Sequence, residues 1–210
     1  MAFDFKKEYK EYYLPPKTPT IVTVPKMNYL AVRGKGNPNE EDGEYSKALG
    51  SLYAIAYTLK MSHKSDYKIS DFVEYVVPPL EGMWWIPGLQ GMDYSRKDEF
   101  EWISLIRLPD FIAKSDFDWA VETATNKKKQ DYSNVEFLTI DEGLCVQCMH
   151  VGSYDDEPAT VKMMDGYAID NGYIIDINDS RHHHEIYLSD PRKGDVSKLK
   201  TVIRHPIKKV

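Results

Sequence analysis

Long apolar runs are missing from this chain. No stretch approaches the roughly 18 consecutive apolar residues that suggest a membrane span, and the opening, MAFDFKKEYKEYYLPP, has no apolar signal-peptide core. A cytoplasmic location with no membrane partner is expected. Cysteine is scarce as well. Cys145 and Cys148 are the only two, so the C-x-x-C they form has no second pair with which to complete a zinc site. An excess of positive charge is also lacking. The net charge of -6 disfavours direct nucleic-acid binding, which draws most of its affinity from Lys and Arg on phosphates. The one basic run, Lys127 to Lys129, reads as a helix end complementing its own dipole. What the chain has in excess is rings. Fifteen Tyr and four Trp exceed the needs of a core this size, and such side chains line both cores and pockets for flat apolar ligands.

The patterning predicts strands over residues 19 to 34 and a helix in which Tyr45, Ala48, Leu49, Leu52, Tyr53, Ala56 and Leu59 recur at spacings of three and four. DFVEYVV (71 to 77) alternates as a strand and stops at Pro78-Pro79, because proline cannot donate to a ladder. PPLEGMWWIPGLQG reads as a loop, and EFEWISLIRL (99 to 108) as the next strand. Ser115 and Asp116 suit an N-cap for a helix that ends in the lysines. The order then restarts. VEFLTIDEGLCVQCMHVG is a long or bent strand, and a helix carries Val161, Met164, Tyr167 and Ala168 on one face. GYIIDINDS leads into the strand HHHEIYL, and KLKTVIRHPI closes the chain.

Strand, helix, strand, strand thus occurs twice. IVTVPKMNYLAVRGKG (21 to 36) lies without a gap over FLTIDEGLCVQCMHVG (137 to 152), an offset of 152 - 36 = 116 with apolar positions matched at 21/137, 22/138, 24/140, 30/146 and 32/148. Shortening the second helix by five residues puts EYVVPP (74 to 79) over EIYLSD (185 to 190). The fold class expected is α+β, a tandem repeat with pseudo-twofold symmetry, antiparallel sheets, helices on one side and a ligand cleft between the halves. Residues 1–18 form an N-terminal extension, 19–112 the first half, and 113–210 a linking helix and the second half.

Two motifs lose their chemistry once strand geometry is applied. Cys145 and Cys148 are three residues apart and leave opposite faces of a strand, so they read as two buried thiols. In HHHEIYLS (182 to 189), His182 and His184 share one face while His183, Glu185 and Tyr187 share the other. No third metal ligand is adjacent in sequence, so no metal is expected. GKGNP lacks the spacing of a phosphate loop. Ile186 and Leu188 are expected to face the helices, which leaves Glu185 looking at water or at the opposite half.

The double plan, the MHVGSYDDEPATVKMMDGYA segment (149 to 168) with its His-x-Gly-x-Tyr junction, and HEIYLSDP (184 to 191) with its late glutamate together resemble the GyrI-like small-molecule-binding proteins. VVPPLEGMWWIPG and DEFEWISLIRLPDFI resemble the stand-alone branch called cyclopropanoid cyclopropyl hydrolases. The resemblance covers residues from about 19 to 208. It implies a cleft between the halves, an acid on the late strand, here Glu185, and a flat aromatic ligand. Members of the family act as drug-sensing domains, as a gyrase inhibitor, or as hydrolases that open the cyclopropane of DNA-alkylating compounds. The 18 residues before the first strand are too few for a DNA-binding domain. On this reading Glu185 is the base that activates water and Tyr187 the hydrogen-bond donor, with Tyr154 and Tyr167 as alternatives. Trp84, Trp85 and Trp102 stack on the ligand, and His183 lines the site beside them. His150 orients the strand-to-helix turn. No cofactor is expected. Sequestration of a flat or cationic drug, with Glu185 as counter-ion, and binding to gyrase or another protein are the competing functions.

Overall fold

A computed structural model describes residues 2–89, 91–190 and 195–210. In chain order the elements are α1 (Phe5–Glu8), α2 (Lys10–Tyr13), β1 (Thr20–Val24), β2 (Met27–Lys35), α3 (Glu44–Lys60), β3 (Leu80–Trp85), β4 (Glu101–Arg107), α4 (Lys114–Lys128), β5 (Glu136–Ile140), β6 (Gly143–Val151), α5 (Glu157–Asp170), β7 (Tyr173–Ile175), β8 (His183–Tyr187) and β9 (Lys200–Lys209). The fold is α+β, built on a large antiparallel sheet in the order β1-β6-β9-β8-β3-β4-β2-β5, with β7 paired to β9.

The order reads the same from either end once each strand is exchanged for its counterpart. β1 lies over β5 and β2 over β6 at an offset of 136 - 20 = 116, the offset found in the sequence. The counterparts swap partners, β1 pairing with β6 and β5 with β2. Further along, Val32 pairs with Ser104 and Ser104 with Gly82, whereas Cys148 pairs with Ile203 and Ile203 with Glu185. Gly82 is therefore the counterpart of Glu185. The two also face each other in the central β3–β8 ladder, so the pseudo-twofold axis passes between them.

This overturns the expected alignment of the third strand. Residues 71 to 77 do not form one, and Tyr75 makes only an isolated parallel bridge to Phe3. The strand is β3, inside the segment read as a loop. Pro78 and Pro79 remove two donors, so pairing starts only after them. Gly82 interrupted the apolar alternation that would have revealed the strand, yet a glycine is required there. A Cβ at position 82 would lie 2.5 Å from Trp84 Nε1 and 3.0 Å from the Tyr187 hydroxyl.

Only Pro25 and Lys26 separate β1 from β2, although these strands belong to opposite ends of the pairing order. Three residue steps span at most about 11 Å, so the sheet must curl until its ends meet. One face accordingly encloses a cluster drawn from both ends, with Val24, Met27, Ala31, Met83, Leu105 and Cys145. Beside it, Phe5 and Tyr13 of α1 and α2 pack with Tyr75, Met149, Ile186 and Val202. The long helices cover the other face. Leu52, Ile55 and Leu59 of α3, with Phe117 and Ala120 of α4, pack on Leu30, Val32, Trp102 and Ile106. Met164 and Ala168 of α5 pack on Val146, Cys148 and Ile203. Both thiols are fully buried, on opposite faces of β6, as strand alternation requires.

Ile186 thus packs against the N-terminal segment, and Glu185 faces the long helices, the reverse of the expected orientation. Both faces of this sheet are buried, so apolarity alone did not mark which one the helices cover. The enclosed face also carries a polar network. His184 hydrogen-bonds Glu142 at 2.8 Å through Nδ1 and Glu81 at 3.0 Å through Nε2. Arg204 reaches Glu142 at 2.9 Å and Gln147 at 2.9 Å, and the Tyr13 hydroxyl donates to Glu81 at 3.2 Å. Burial would push Glu142 up, but His184 and Arg204 hold it down at about 2.

Candidate active site

The axis on which Gly82 faces Glu185 is flanked by the first turns of α3 and α5, which bring Tyr45 and Glu157 near Glu185. Strand alternation sends His183, Glu185 and Tyr187 of β8 to that side together, and each element around them adds a group. Glu157, the first residue of α5, is wholly buried and leaves Oε1 without a hydrogen-bond partner. Its Oε2 accepts a long hydrogen bond, 3.5 Å, from the hydroxyl of Tyr94. Tyr94 belongs to the segment between β3 and β4, so the first half supplies a residue over the second half's helix. The Lys97–Asp155 ion pair at 3.1 Å fastens the same segment to the turn before α5.

Glu157, His183 and Glu185 each place a donor atom within 4.8 Å of the others, close enough to share protons or to close on a small cation. Glu185 is 7% exposed, so its charge acts at short range in a poorly solvated place. Burial, and then the charge of Glu185, push the Glu157 carboxyl well above the usual carboxylate range. Both causes favour the protonated form of Glu157 beside its acidic neighbour.

Four phenols ring Glu185. Burial first, and the carboxylate second, push the hydroxyls of Tyr45 and Tyr187 up and that of Tyr154 to about 12. Tyr94 moves the same way, by burial, then Glu157, then Glu185. All four keep their protons, so each hydroxyl can donate a hydrogen bond. Tyr187 is oriented by Trp84, whose Nε1 donates to its hydroxyl at 2.9 Å, and by Tyr154, edge-on at 5.8 Å. Trp102, 1% exposed, stands behind Tyr45 with ring centroids 5.2 Å apart.

A chain of hydrogen bonds leads away from Glu185. His183 Nε2 is 2.9 Å from Glu185 Oε1, His183 Nδ1 is 2.7 Å from His205 Nε2, and His205 Nδ1 is 2.7 Å from Asp165. His205 and Asp165 line a cavity of about 390 Å³ whose wall also includes Met92, Tyr94, Val161 and Lys162. Both imidazoles are buried, whereas the Asp165 side chain is 27% exposed.

Of the residues the sequence brought forward, Glu185, Tyr187, His183, Tyr154 and Trp84 converge, and Trp102 supports them from behind. Trp85 leaves the opposite face of β3, where it stacks on His182 at 4.1 Å and donates to Glu101 at 3.0 Å. Tyr167 lies on the exposed side of α5. His150 ties the junction before α5, with Nδ1 2.8 Å from Thr160 Oγ1 and Nε2 2.9 Å from the Ser153 carbonyl. Sequence reasoning missed Tyr45, Tyr94, Glu157, Asp165 and His205. Only Glu157 carried a signal, an acid directly before a proline at a helix start.

The GyrI-like small-molecule-binding domain model matches residues 17–208. The chain belongs to the GyrI-like family. A hydrolase from Listeria innocua is 44% identical, covering 99% of this chain and 100% of its own, with a TM-score of 0.89. An uncharacterized conserved protein from Listeria innocua is 45% identical over the same shares, with a TM-score of 0.92. The C-terminal domain of EcmrR shares the fold at 15% identity, covering 92% of this chain and 98% of its own, with a TM-score of 0.54. No protein of curated function matches. Among the described residues, no helix is long and apolar enough to cross a membrane.

Proposed function

We propose that this GyrI-like protein is a hydrolase that opens the cyclopropane ring of cyclopropanoid, DNA-alkylating small molecules by adding water, and so protects the cell from them. The observation that carries the reading is the setting of Glu185, a carboxylate hydrogen-bonded to His183 at 2.9 Å, beside the buried Glu157 and among tyrosines. Similarity to the Listeria hydrolase supports water as a reactant.

In the reaction, Glu185 takes a proton from water while the water oxygen attacks a ring carbon. The carbon–carbon bond breaks, and its electrons pass to a conjugated carbonyl, whose oxygen becomes an anion. Tyr187 and the protonated Glu157 donate hydrogen bonds to that oxygen. They occupy a water-poor site in which such donors act more strongly than in water. A base and a donor of this kind each contribute roughly 10²–10⁴ in rate, sufficient for a ring already strained. Trp84, Tyr45 and Tyr154 provide aromatic surface for a flat ligand.

The test is incubation of the protein with a cyclopropanoid alkylator and mass spectrometry of the products. The expected product is one water heavier. Glu185→Gln should lower turnover at least about 100-fold while binding, followed by tryptophan quenching, persists. A Glu185→Gln protein as active as the wild type refutes the assignment of the base. The ring of tyrosines around one carboxylate also suits non-catalytic capture of a flat cation, and recovery of the compound bound but unchanged selects that reading.

A further inference from the structure

We propose that His183, His205 and Asp165 form a proton relay that returns Glu185 to its ionised state after each turnover by passing its proton to water in the cavity beside α5. The inference rests on the hydrolytic reading above and adds a route that the reading needs. Glu185 gains a proton from water, the product leaves as an oxyanion that solvent protonates, and Glu185 is too enclosed to exchange freely.

The support is a proton count. Three hydrogen bonds, of 2.9, 2.7 and 2.7 Å, join Glu185, His183, His205 and Asp165 in line. Each bond needs one proton, and two neutral imidazoles supply two. The third is an extra proton, and the chain has two equivalent places for it. When Asp165 is ionised it accepts from His205 Nδ1, His205 Nε2 accepts from His183 Nδ1, and His183 Nε2 accepts from a protonated Glu185. When Glu185 is ionised every donor is reversed, and the proton resides on Asp165. Moving each proton across its own hydrogen bond converts one arrangement into the other with no atom displaced. A proton taken from water at Glu185 thus appears on Asp165, which releases it to water in the cavity, and the two imidazoles then return to their first tautomers, so that one proton crosses per turnover and the protein ends as it began.

The two ends differ as a relay requires. Glu185 is buried among rings, while Asp165 is 27% exposed and opens on the 390 Å³ cavity. The titratable groups facing the middle of the chain are Glu157 and Tyr94 near Glu185 and Lys162 beside Asp165 on the cavity wall. His183 stands between His205 and Glu185, so His205 acts as a positioning and relay residue.

The experiment uses the whole protein with Asp165→Asn, a conservative change at a partly exposed position, and His205→Ala, which opens a hole onto the cavity. With enzyme in excess over a cyclopropanoid alkylator, the first turnover should stay within about threefold of wild type. With substrate in excess, kcat should fall about tenfold or more at unchanged KM, and added imidazole should restore His205→Ala. Independently of substrate, Asp165→Asn should shift the imidazole nitrogen NMR signals of both His205 and His183. Unchanged steady-state turnover in both variants, or a His183 signal indifferent to position 165, overturns the relay. In either case Glu185→Gln remains inactive if the hydrolytic reading holds, so the two failures are distinguishable.

Discussion

Raising the pH from 6.5 to 9 should destabilise this protein through one buried side chain, His184. It is 0% exposed and lies between Glu142 and Glu81. Burial by itself would push the imidazole down, but the two carboxylates override burial and raise it to about 9. A group whose pKa is higher in the folded state than the ordinary 6.5 contributes stability that is complete below about 6.5 and is lost as pH climbs through about 9. The difference corresponds to about 3 kcal/mol, a large share of the 5–15 kcal/mol typical of a domain. With a urea slope of about 2 kcal/mol/M, the unfolding midpoint should drop by about 1–2 M between pH 6 and 9.5. Glu81→Gln removes one of the two partners, lowers the imidazole pKa towards its ordinary value, and should flatten the dependence. A wild-type midpoint constant across this range, or an equal slope in Glu81→Gln, refutes the argument that His184 is a buried imidazolium.

Two further outcomes test the architecture. Gly82→Ala would place a Cβ 2.5 Å from Trp84 Nε1 and disturb the Trp84–Tyr187 hydrogen bond, so it should cost about 1–3 kcal/mol in thermal or urea unfolding and lower turnover by misplacing Tyr187. Wild-type stability in that variant would show that the axis position tolerates a side chain. Burial pushes the thiols of Cys145 and Cys148 up to about 12 and about 11, so neither should react with a thiol reagent at neutral pH until urea unfolds the chain. Prompt labelling of the native protein would contradict their burial.

Much of this molecule was legible in the order of its residues, because strands and helices announce themselves by local period. The gapless repeat at an offset of 116, the opposite-facing cysteines and the shared face of His183, Glu185 and Tyr187 all follow from side-chain alternation, which depends only on neighbours along the chain. The failures were equally physical. β3 was hidden because Gly82, Trp84 and Trp85 break apolar alternation, and the reason for the glycine, the closeness of Trp84 and Tyr187, lies across the sheet. Ile186 was assigned to the wrong side because a sheet buried on both faces offers no polarity contrast between them.

The sequence alone therefore determined the α+β class, the doubled plan and the acid on its late strand. Tertiary structure decided the rest. Only the curl of the sheet, and the approach of the halves across Gly82 and Glu185, bring Tyr45, Tyr94, Glu157, Asp165 and His205 to one place. Local period governs which way a side chain leaves its own backbone, whereas distances between elements far apart in sequence arise only when the chain closes on itself.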